Sequence, residues 1–305
     1  MDISSLLTAI PGAISQGILW GVMALGVYTT YRILNISDLT VDGSFATGGC
    51  VAAVCLVNGL NPFVSLLIAL VAGLLAGAIT GFLHTRCEIP AILAGILTQL
   101  GLYSINLRIM GRSNTPLLKV DTLFSKGKEL LNLPSQYVAI IIGVVLIVLL
   151  VACMYWFYGT EIGSAIRATG NNERMVESLG VNTKTTKMLG FMIANGLVAL
   201  SGALVTQSQG YADVKQGTGA IVIGLASIII GEVVCGKRRN FMVRLSTIVV
   251  GSILYRVVVA MVLQMGLSTD DLKLLTAVLV AIALTVPVML EKRNQNARYK
   301  AHIEG

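Results

Sequence analysis

The feature that most constrains the fold is a series of nine apolar segments separated by clusters of charged residues. The segments are 13–33, 43–58, 62–83, 89–107, 136–158, 188–209, 217–234, 241–263 and 272–290. A helix needs about 20 residues to cross a hydrocarbon core of about 30 Å, and backbone polar groups inside a bilayer must pair within their own segment. The sequence therefore predicts an all-α fold: a polytopic transmembrane helical bundle of 8–10 spans, nine as the best count, in one domain over 1–305.

The composition excludes most soluble proteins. Hydrophobic residues make up 55% of the chain and charged residues 12%, against about 25% charged in an ordinary soluble protein. With two histidines and five cysteines that lack a CxxC spacing, we expect no enzyme, no metal site and no cofactor. The net charge of +7 could suit nucleic acid. Basic residues beside apolar spans more often record orientation, so no nucleic-acid partner is expected.

The positions of lysine and arginine predict how the bundle is oriented. Basic residues concentrate in cytoplasmic loops, so the run at 237–239 and the tail 291–305 are expected on the cytoplasmic side. Counting the spans back from these places 160–187 on the same side. The exception is 108–135, which carries five basic residues and is predicted to be external. We expect a multi-pass membrane protein with a cytoplasmic C-terminus.

Glycine spacing predicts one close helix contact. Gly73, Gly77 and Gly81 recur at every fourth position of an apolar segment. They therefore share one helix face, on which a second helix can approach closely.

Two short segments resemble each other at an offset of 174 residues. Residues 39–46 (LTVDGSFA) and 213–220 (DVKQGTGA) each place Asp, Gly and a hydroxyl residue before a span rich in Gly and Ala. An odd number of spans lies within the offset, so the halves would form an inverted repeat unless the likeness is chance. Such interrupted segments at matching positions indicate a transport path. The residues predicted to line it are Asp42, Ser44, Gln99, Gln207, Gly217 and Thr218. Each could instead cap a helix or bond two helices together.

A hydrophilic stretch, 159–190, interrupts the apolar pattern. Asn171 or Asn172 can cap a helix of about two turns, in which Met175, Val176 and Leu179 form an apolar patch. So short a helix is marginal alone, which favours docking into a groove on a partner over a solvated loop.

The sequence here resembles the ABC-transporter permeases of the branched-chain amino acid and ribose importer family. The resemblance rests on AIRATGNNERMVESLGVN, followed by TKMLGFMIANGLVALSGAL and GTGAIVIGLASIIIGEVV, and it covers nearly the whole chain. The segment DLTVDGSFATGG is closest to a subgroup linked to aromatic amino acid uptake in bacteria.

The resemblance implies that the cytoplasmic segment 160–187 holds a coupling helix that sits in a cleft of an ATPase subunit. The residues implied to couple are Arg167, Ala168, Gly170, Asn171, Asn172, Glu173, Arg174, Met175, Val176, Glu177, Leu179 and Gly180. It also implies two permease copies in a bacterial cell membrane, surrounded by lipid. It further implies an ATP-binding subunit on the cytoplasmic side and an extracytoplasmic substrate-binding lipoprotein that would deliver a small solute, expected to be an amino acid.

Other residues leave alternatives open. Residues 231–238, GEVVCGKR, nearly match a phosphate loop, but Arg238 replaces the hydroxyl that would bind Mg²⁺, so ATP must be hydrolysed by another subunit. Arg256 lies mid-span with either a structural or a transport role, and Glu232, near the cytoplasmic end of its span, is expected to pair with nearby basic residues. A secondary transporter or channel is the alternative function, and no carboxylate lies mid-span to serve it.

Overall fold

The computed structural model describes residues 3–118, 120–235, 240–264, 274, 276–278, 280, 281 and 285. The helices are α1 (Ile3–Tyr28), which continues into a π-helical turn (Thr29–Ile33), α2 (Thr40–Val57), α3 (Pro62–Thr85), α4 (Ala91–Met110), α5 (Leu123–Leu131), α6 (Ser135–Gly159), α7 (Glu161–Asn171), α8 (Glu173–Ser178), α9 (Thr183–Gln209), α10 (Ala220–Cys235) and α11 (Phe241–Gln264). Two short strands, β1 (Asn114–Pro116) and β2 (Tyr211–Asp213), pair antiparallel.

Seven helices in the described part are long and apolar enough to cross a membrane. They are α1 with its π-helical turn, α2, α3, α4, α6, α9 and α11. The predicted span at 217–234 is the 16-residue α10, which is shorter than a full crossing. Most of 272–290, the basic run 237–239 and the tail 291–305 lie outside the described residues. The multi-pass helical class is therefore confirmed, whereas the described helices do not reach the count of nine.

Helix α9 lies at the centre of the bundle, with α3 packed along it. The glycine face of α3 makes this contact. A β-carbon on Gly73 would overlap the carbonyl oxygen of Asn195, and one on Gly77 would overlap that of Phe191. The predicted close approach at the glycine stripe is confirmed, and its partner is α9.

Helix α1 packs against α11 with similar closeness. A β-carbon on Gly17 would lie 2.6 Å from the Cα of Ile253, and the hydroxyl of Ser252 donates to the Gly17 carbonyl at 2.8 Å. Small residues thus place both helix pairs, α3 with α9 and α1 with α11, at backbone contact distance.

The outer helices present apolar side chains that find no cover within the described chain. Only 28% of the apolar window of α4 and 33% of that of α6 is buried, against 78% for α9. Leu67 and Leu75 on α3 and Leu149 on α6 are more than half exposed. This inside-out pattern fits helices that face lipid.

The external loop predicted at 108–135 is partly ordered. The strands pair Thr115 with Ala212, and a capping box formed by Thr122 and Ser125 starts α5. These elements close the end of the bundle opposite α7 and α8.

Two breaks interrupt the inner helices. The first separates the π-helical turn from α2 over 34–39, and the second separates α9 from α10 over 210–219. The two similar sequence segments lie at these breaks, but α2 begins at the second residue of its segment and α10 at the eighth of the other. The segments also touch, since a β-carbon on Gly217 would overlap the Asp42 carbonyl oxygen.

Candidate functional site

The hydrophilic stretch folds into two short helices, α7 and α8, at one end of the bundle. Thr160 caps α7, because its hydroxyl accepts the N–H of Gly163 at 3.3 Å. The helix is interrupted at Asn172, which has extended backbone angles. The Asn172 side chain accepts the Met175 N–H at 3.2 Å and thereby caps α8. The predicted short helix and its asparagine cap are confirmed.

The predicted apolar patch on this helix is divided between two sides. Val176 is only 2% exposed, whereas Met175 is 49% and Leu179 73% exposed. Successive residues of a helix are about 100° apart, so Val176 packs inward while Met175 and Leu179, four positions apart, share the outer side. The prediction of one shared patch is therefore wrong for Val176. The outer surface of α8 also includes Arg174 and Gly180, both exposed.

Two side-chain contacts hold α8 against the start of α9. The Glu173 carboxylate lies 2.5 Å from the Lys187 ammonium, and the Thr183 hydroxyl donates to Glu177 at 2.6 Å. The hydrogen bond from Lys187 lowers the pKa of Glu173 below its ordinary value. Both predicted coupling carboxylates thus anchor α8 to the bundle and leave its outer side free.

Gly170, at the end of α7, contacts the break that follows α1. A β-carbon on Gly170 would overlap the Ile33 carbonyl oxygen. The neighbouring Thr169 hydroxyl lies 2.9 Å from that of Thr186 on α9. Gly170 is therefore glycine because two backbones meet there, and α7 contacts α1 and α9 together.

Charged residues at this end join helices that are distant in sequence. Arg32, in the π-helical turn, forms a salt bridge with Glu232 on α10, which confirms that Glu232 pairs with a basic residue. The Arg167 guanidinium lies 4.9 Å from the centre of the Phe241 ring. Of the residues assigned to coupling, Arg167 thus contacts α11 in its own chain.

A buried polar network fixes the first helix break. Asp38 is 2% exposed; its carboxylate accepts the Thr40 N–H at 2.9 Å and the Asn195 amide at 2.7 Å. The Ser44 hydroxyl donates to the Asn195 amide oxygen at 2.6 Å. Since buried polar groups need such partners, the network ties α2 to α9. Ser44 was predicted to line the path, but its hydroxyl donates this hydrogen bond between α2 and α9.

Asp42 lies in the first turn of α2, directly after the first helix break, and joins this turn to the second break. Its carboxylate accepts the N–H groups of Gly219 at 2.9 Å and Ile221 at 3.0 Å, at the start of α10. A carboxylate at a helix N-terminus satisfies free N–H groups and complements the helix dipole. Gly217 is buried against Asp42, whereas Thr218 is exposed.

Of the six residues predicted to line a path, four lie together and two lie elsewhere. Asp42, Gly217 and Thr218 gather where the first turn of α2 meets the second break, and Ser44 is two residues further along α2. Gln99 lies on α4 across from α2, where a β-carbon on Gly43 would be 3.0 Å from its Cα.

Gln207 lies apart, near the β1–β2 end of the bundle. Its amide donates to the Ser65 hydroxyl at 3.0 Å, and its oxygen accepts the Leu123 N–H at 2.9 Å. Both contacts join α9 to other elements of the fold, α3 and α5.

Arg256 contacts an aromatic ring that the sequence did not indicate. Its guanidinium carbon lies 4.0 Å from the centre of the Trp20 ring. Trp20 also contacts Phe45, with 4.7 Å between the two ring centres. Among the described residues, Arg256 forms no salt bridge. A cation over indole is a favourable pair in a desolvated site.

Comparisons with known proteins cover nearly the whole chain. Residues 10–287 match the family described as branched-chain amino acid transport system / permease component. The tyrosine transport system permease protein of Clostridioides difficile is 38% identical over 96% of this chain and 96% of its own length. The ribose import permease protein RbsC of Haemophilus influenzae is 26% identical over 75% of this chain and 71% of its own.

A solved structure shares the fold. PsaBC from Streptococcus pneumoniae in complex with Fab has a TM-score of 0.53 at 14% identity, covering 92% of this chain and 95% of that chain.

Proposed function

The chain belongs to the family of permease components of branched-chain amino acid transport systems, and we propose that it carries an aromatic amino acid into the cell. Members of this family are transport subunits, and this chain is the translocation subunit of an ABC importer. The proposed substrate is tyrosine or a similar amino acid. It is supported by the likeness, over 96% of both chains, to a permease whose name specifies tyrosine.

The importer is proposed to contain two copies of this permease, an ATP-binding subunit on the cytoplasmic side and an extracytoplasmic binding protein. The α7–α8 end would face the cytoplasm, as would the C-terminal tail 291–305. The observation that supports the ATPase site is the outer surface of α8. There Met175 and Leu179 are exposed at adjacent turns beside the charged Arg174, a composition suited to a groove on a protein partner.

Movement of α8 would reach the bundle through contacts already described. The ion pair of Glu173 with Lys187 holds α8 to α9. Gly170 allows the backbone of α7 to contact the chain where the break after α1 begins. From that break, Asp38 bonds to Asn195 in the middle of α9. A displacement of the coupling segment would therefore shift α1 and α9 together. ATP and substrate must each favour a different state of this bundle for transport to be driven.

The path is proposed to pass the meeting point of the two helix breaks. Its support is the short α10, which begins inside the bundle with its first N–H groups on Asp42. Interrupted helices of this kind place polar backbone at membrane depth only where protein or a cavity surrounds it. Gly217 and Thr218, at the same meeting point, are the other proposed path residues, with Ser44 two residues along α2 from Asp42; Gln99 faces Gly43 of α2 from α4.

The inverted repeat is part of the proposal. Helices α1, α2 and α3 would correspond to α9, α10 and α11, each set containing a break after its first helix. In this correspondence α3 packs on α9 as α11 packs on α1. A ninth span would lie within 272–290.

Transport in vesicles tests the proposed substrate. The permease is reconstituted with its cognate ATPase and binding protein, and uptake of labelled tyrosine, leucine and ribose is measured with and without ATP. We expect ATP-dependent uptake of tyrosine, with at least about tenfold preference over the other two, a factor that corresponds to about 1.4 kcal/mol of discrimination. Preferred uptake of leucine or ribose would overturn the substrate while leaving the importer assignment intact.

A further inference from the structure

A cavity of about 600 Å³ lies where the coupling segment meets the ends of two transmembrane helices. Its walls come from the end of α1, from α7 and from the start of α11. Each of these elements contributes one arginine: Arg32, Arg167 and Arg244. The cavity is therefore shared between the segment proposed to move and the bundle.

The chemistry of the lining is basic and polar. Beside the three arginines it presents Asn35, Ser164 and Asn171, and none of the described lining residues is a carboxylate. Glu232 compensates one arginine from outside the lining, through its salt bridge with Arg32. Several guanidinium groups with amide and hydroxyl neighbours form the donor set that binds phosphate oxygens in proteins.

Arg167 is held in a position that keeps its donors available. Its guanidinium lies over the Phe241 ring at 4.9 Å from the centre. A guanidinium stacked by its face retains the N–H groups along its edge, which can bond two oxygens of one anion. Among the described residues, Arg167 thus contacts an aromatic ring and forms no salt bridge with a carboxylate.

A second cavity of about 590 Å³ adjoins the first. The two cavities share Arg167 and Phe241. The second is also lined by Tyr155 and Trp156, at the end of α6, where Trp156 is 70% exposed. Tryptophan and tyrosine at a helix end are typical of the membrane interface. Further along α6, Leu149 is exposed on the proposed lipid face.

We propose that these joined cavities bind one anionic phospholipid of the cytoplasmic leaflet. Its phosphate would lie among Arg167, Arg244 and Arg32, and its glycerol would pass Trp156 so that the acyl chains lie along α6. Basic pockets between transmembrane helices at the cytoplasmic side are suited to anionic headgroups. A free phosphate would use the arginines but would have no need of the aromatic cavity, so the continuity of the two cavities favours the lipid.

Bound lipid would stabilise the docked coupling segment, because its phosphate would bridge α7 to α1 and α11. This consequence and the assignment to the cytoplasmic leaflet rest on the proposed function, whereas binding of an anionic lipid in the cavities does not.

Binding is therefore tested on the purified full-length permease alone, by native mass spectrometry with phosphatidylglycerol and phosphatidylcholine. We expect phosphatidylglycerol to bind preferentially, and the double variant Arg167→Gln/Arg244→Gln to lose at least about tenfold of that affinity. The matched control is Arg108→Gln, an exposed arginine at the end of α4 on the opposite end of the bundle, which should bind as the unaltered chain does. Equal affinity for both lipids, or an equal loss in the control, would overturn the proposal.

Two further variants distinguish binding of a lipid headgroup from binding of free phosphate, and a folding control accompanies them. Trp156→Ala should weaken phosphatidylglycerol binding and leave competition by inorganic phosphate unchanged; if phosphate alone displaces the lipid fully at equal concentration, the site is for a free anion. Arg167→Lys keeps the charge, so it should retain more affinity than Arg167→Gln. Each variant is compared by size exclusion and thermal unfolding, and loss of binding in a variant with unaltered unfolding supports the site.

Discussion

The α-carbon of Gly170 lies so close to the carbonyl oxygen of Ile33 that a β-carbon would overlap that oxygen. One residue belongs to the coupling segment and the other to the π-helical turn that ends the first span. The added β-carbon would also lie 2.7 Å from the Cα of Leu34, the first residue of the break. The contact therefore joins the element proposed to receive force from the ATPase to the break at which the bundle can change shape.

Replacing Gly170 with alanine should uncouple the transporter. The added methyl group would force α7 away from the break, with an overpacking cost of about 1–3 kcal/mol. We expect substrate uptake in reconstituted vesicles to fall at least about tenfold while the protein still inserts into the membrane. The control is Gly101→Ala on α4, where a β-carbon meets nothing within 4 Å. Equal uptake by the two variants would show that the contact does not transmit movement.

The Glu173–Lys187 ion pair should give the docked coupling segment a pH dependence. Because the pKa of Glu173 is lowered, its stabilisation is complete above the ordinary value of 4.5 and is lost as the pH falls through the lowered one. Limited proteolysis within 160–187 should therefore accelerate below about pH 4.5. In Glu173→Gln the cleavage rate should already be raised at pH 7 and should change less with acid. An identical pH profile in the variant would assign the acid response to another group.

The Asp38–Asn195–Ser44 network should contribute strongly to stability. Asn195→Leu removes the amide that bonds the buried Asp38 side chain, and a buried polar group left without a partner costs about 1–3 kcal/mol. Ser44→Ala removes one neutral bond and should cost about 1 kcal/mol. Thermal unfolding in detergent measures both. A larger loss for Ser44→Ala than for Asn195→Leu would contradict this ranking.

The contact between Arg256 and Trp20 can be measured by a double-mutant cycle. Arg256→Gln and Trp20→Leu should each lower the unfolding temperature, and the double variant should lose less than their sum. The expected coupling is about 0.5–2 kcal/mol, the range for a cation over an indole ring. If the losses of stability in the two single variants add up in the double variant, the ring and the guanidinium do not stabilise each other. Arg256 would then act through another contact.

The sequence predicted features that depend on neighbouring residues. The apolar segments, the glycine face of α3 and the Asn172 cap follow from local spacing, because helix periodicity sets which residues share a face. The sequence interpretation placed Met175 and Val176 on one side of α8. Helix periodicity separates adjacent residues by about 100°, so it already implied two sides.

Partners distant in the chain could not be read from spacing. Glu232 was expected to bond a basic residue, and its partner, Arg32, is 200 positions away. Gln207 bonds to residues 84 and 142 positions away, so nothing near it in sequence distinguished a structural amide from a path residue. The Trp20–Arg256 contact is equally nonlocal, since it depends on how α1 packs against α11.

The assignment of α8 as the coupling helix is tested most directly with the Leu179→Asp variant. The quantity measured is the number of substrate molecules that the complex takes up per ATP hydrolysed. Leu179 is 73% exposed on α8, so the change places a charge in the proposed ATPase contact without disturbing the core. Leu130→Asp, at an 84% exposed position on α5, is the matched control. We expect at least about a tenfold lower ratio for Leu179→Asp, which corresponds to about 1.4 kcal/mol, and an unaltered ratio for the control. An unaltered ratio in Leu179→Asp would contradict the assignment of α8 as the coupling helix.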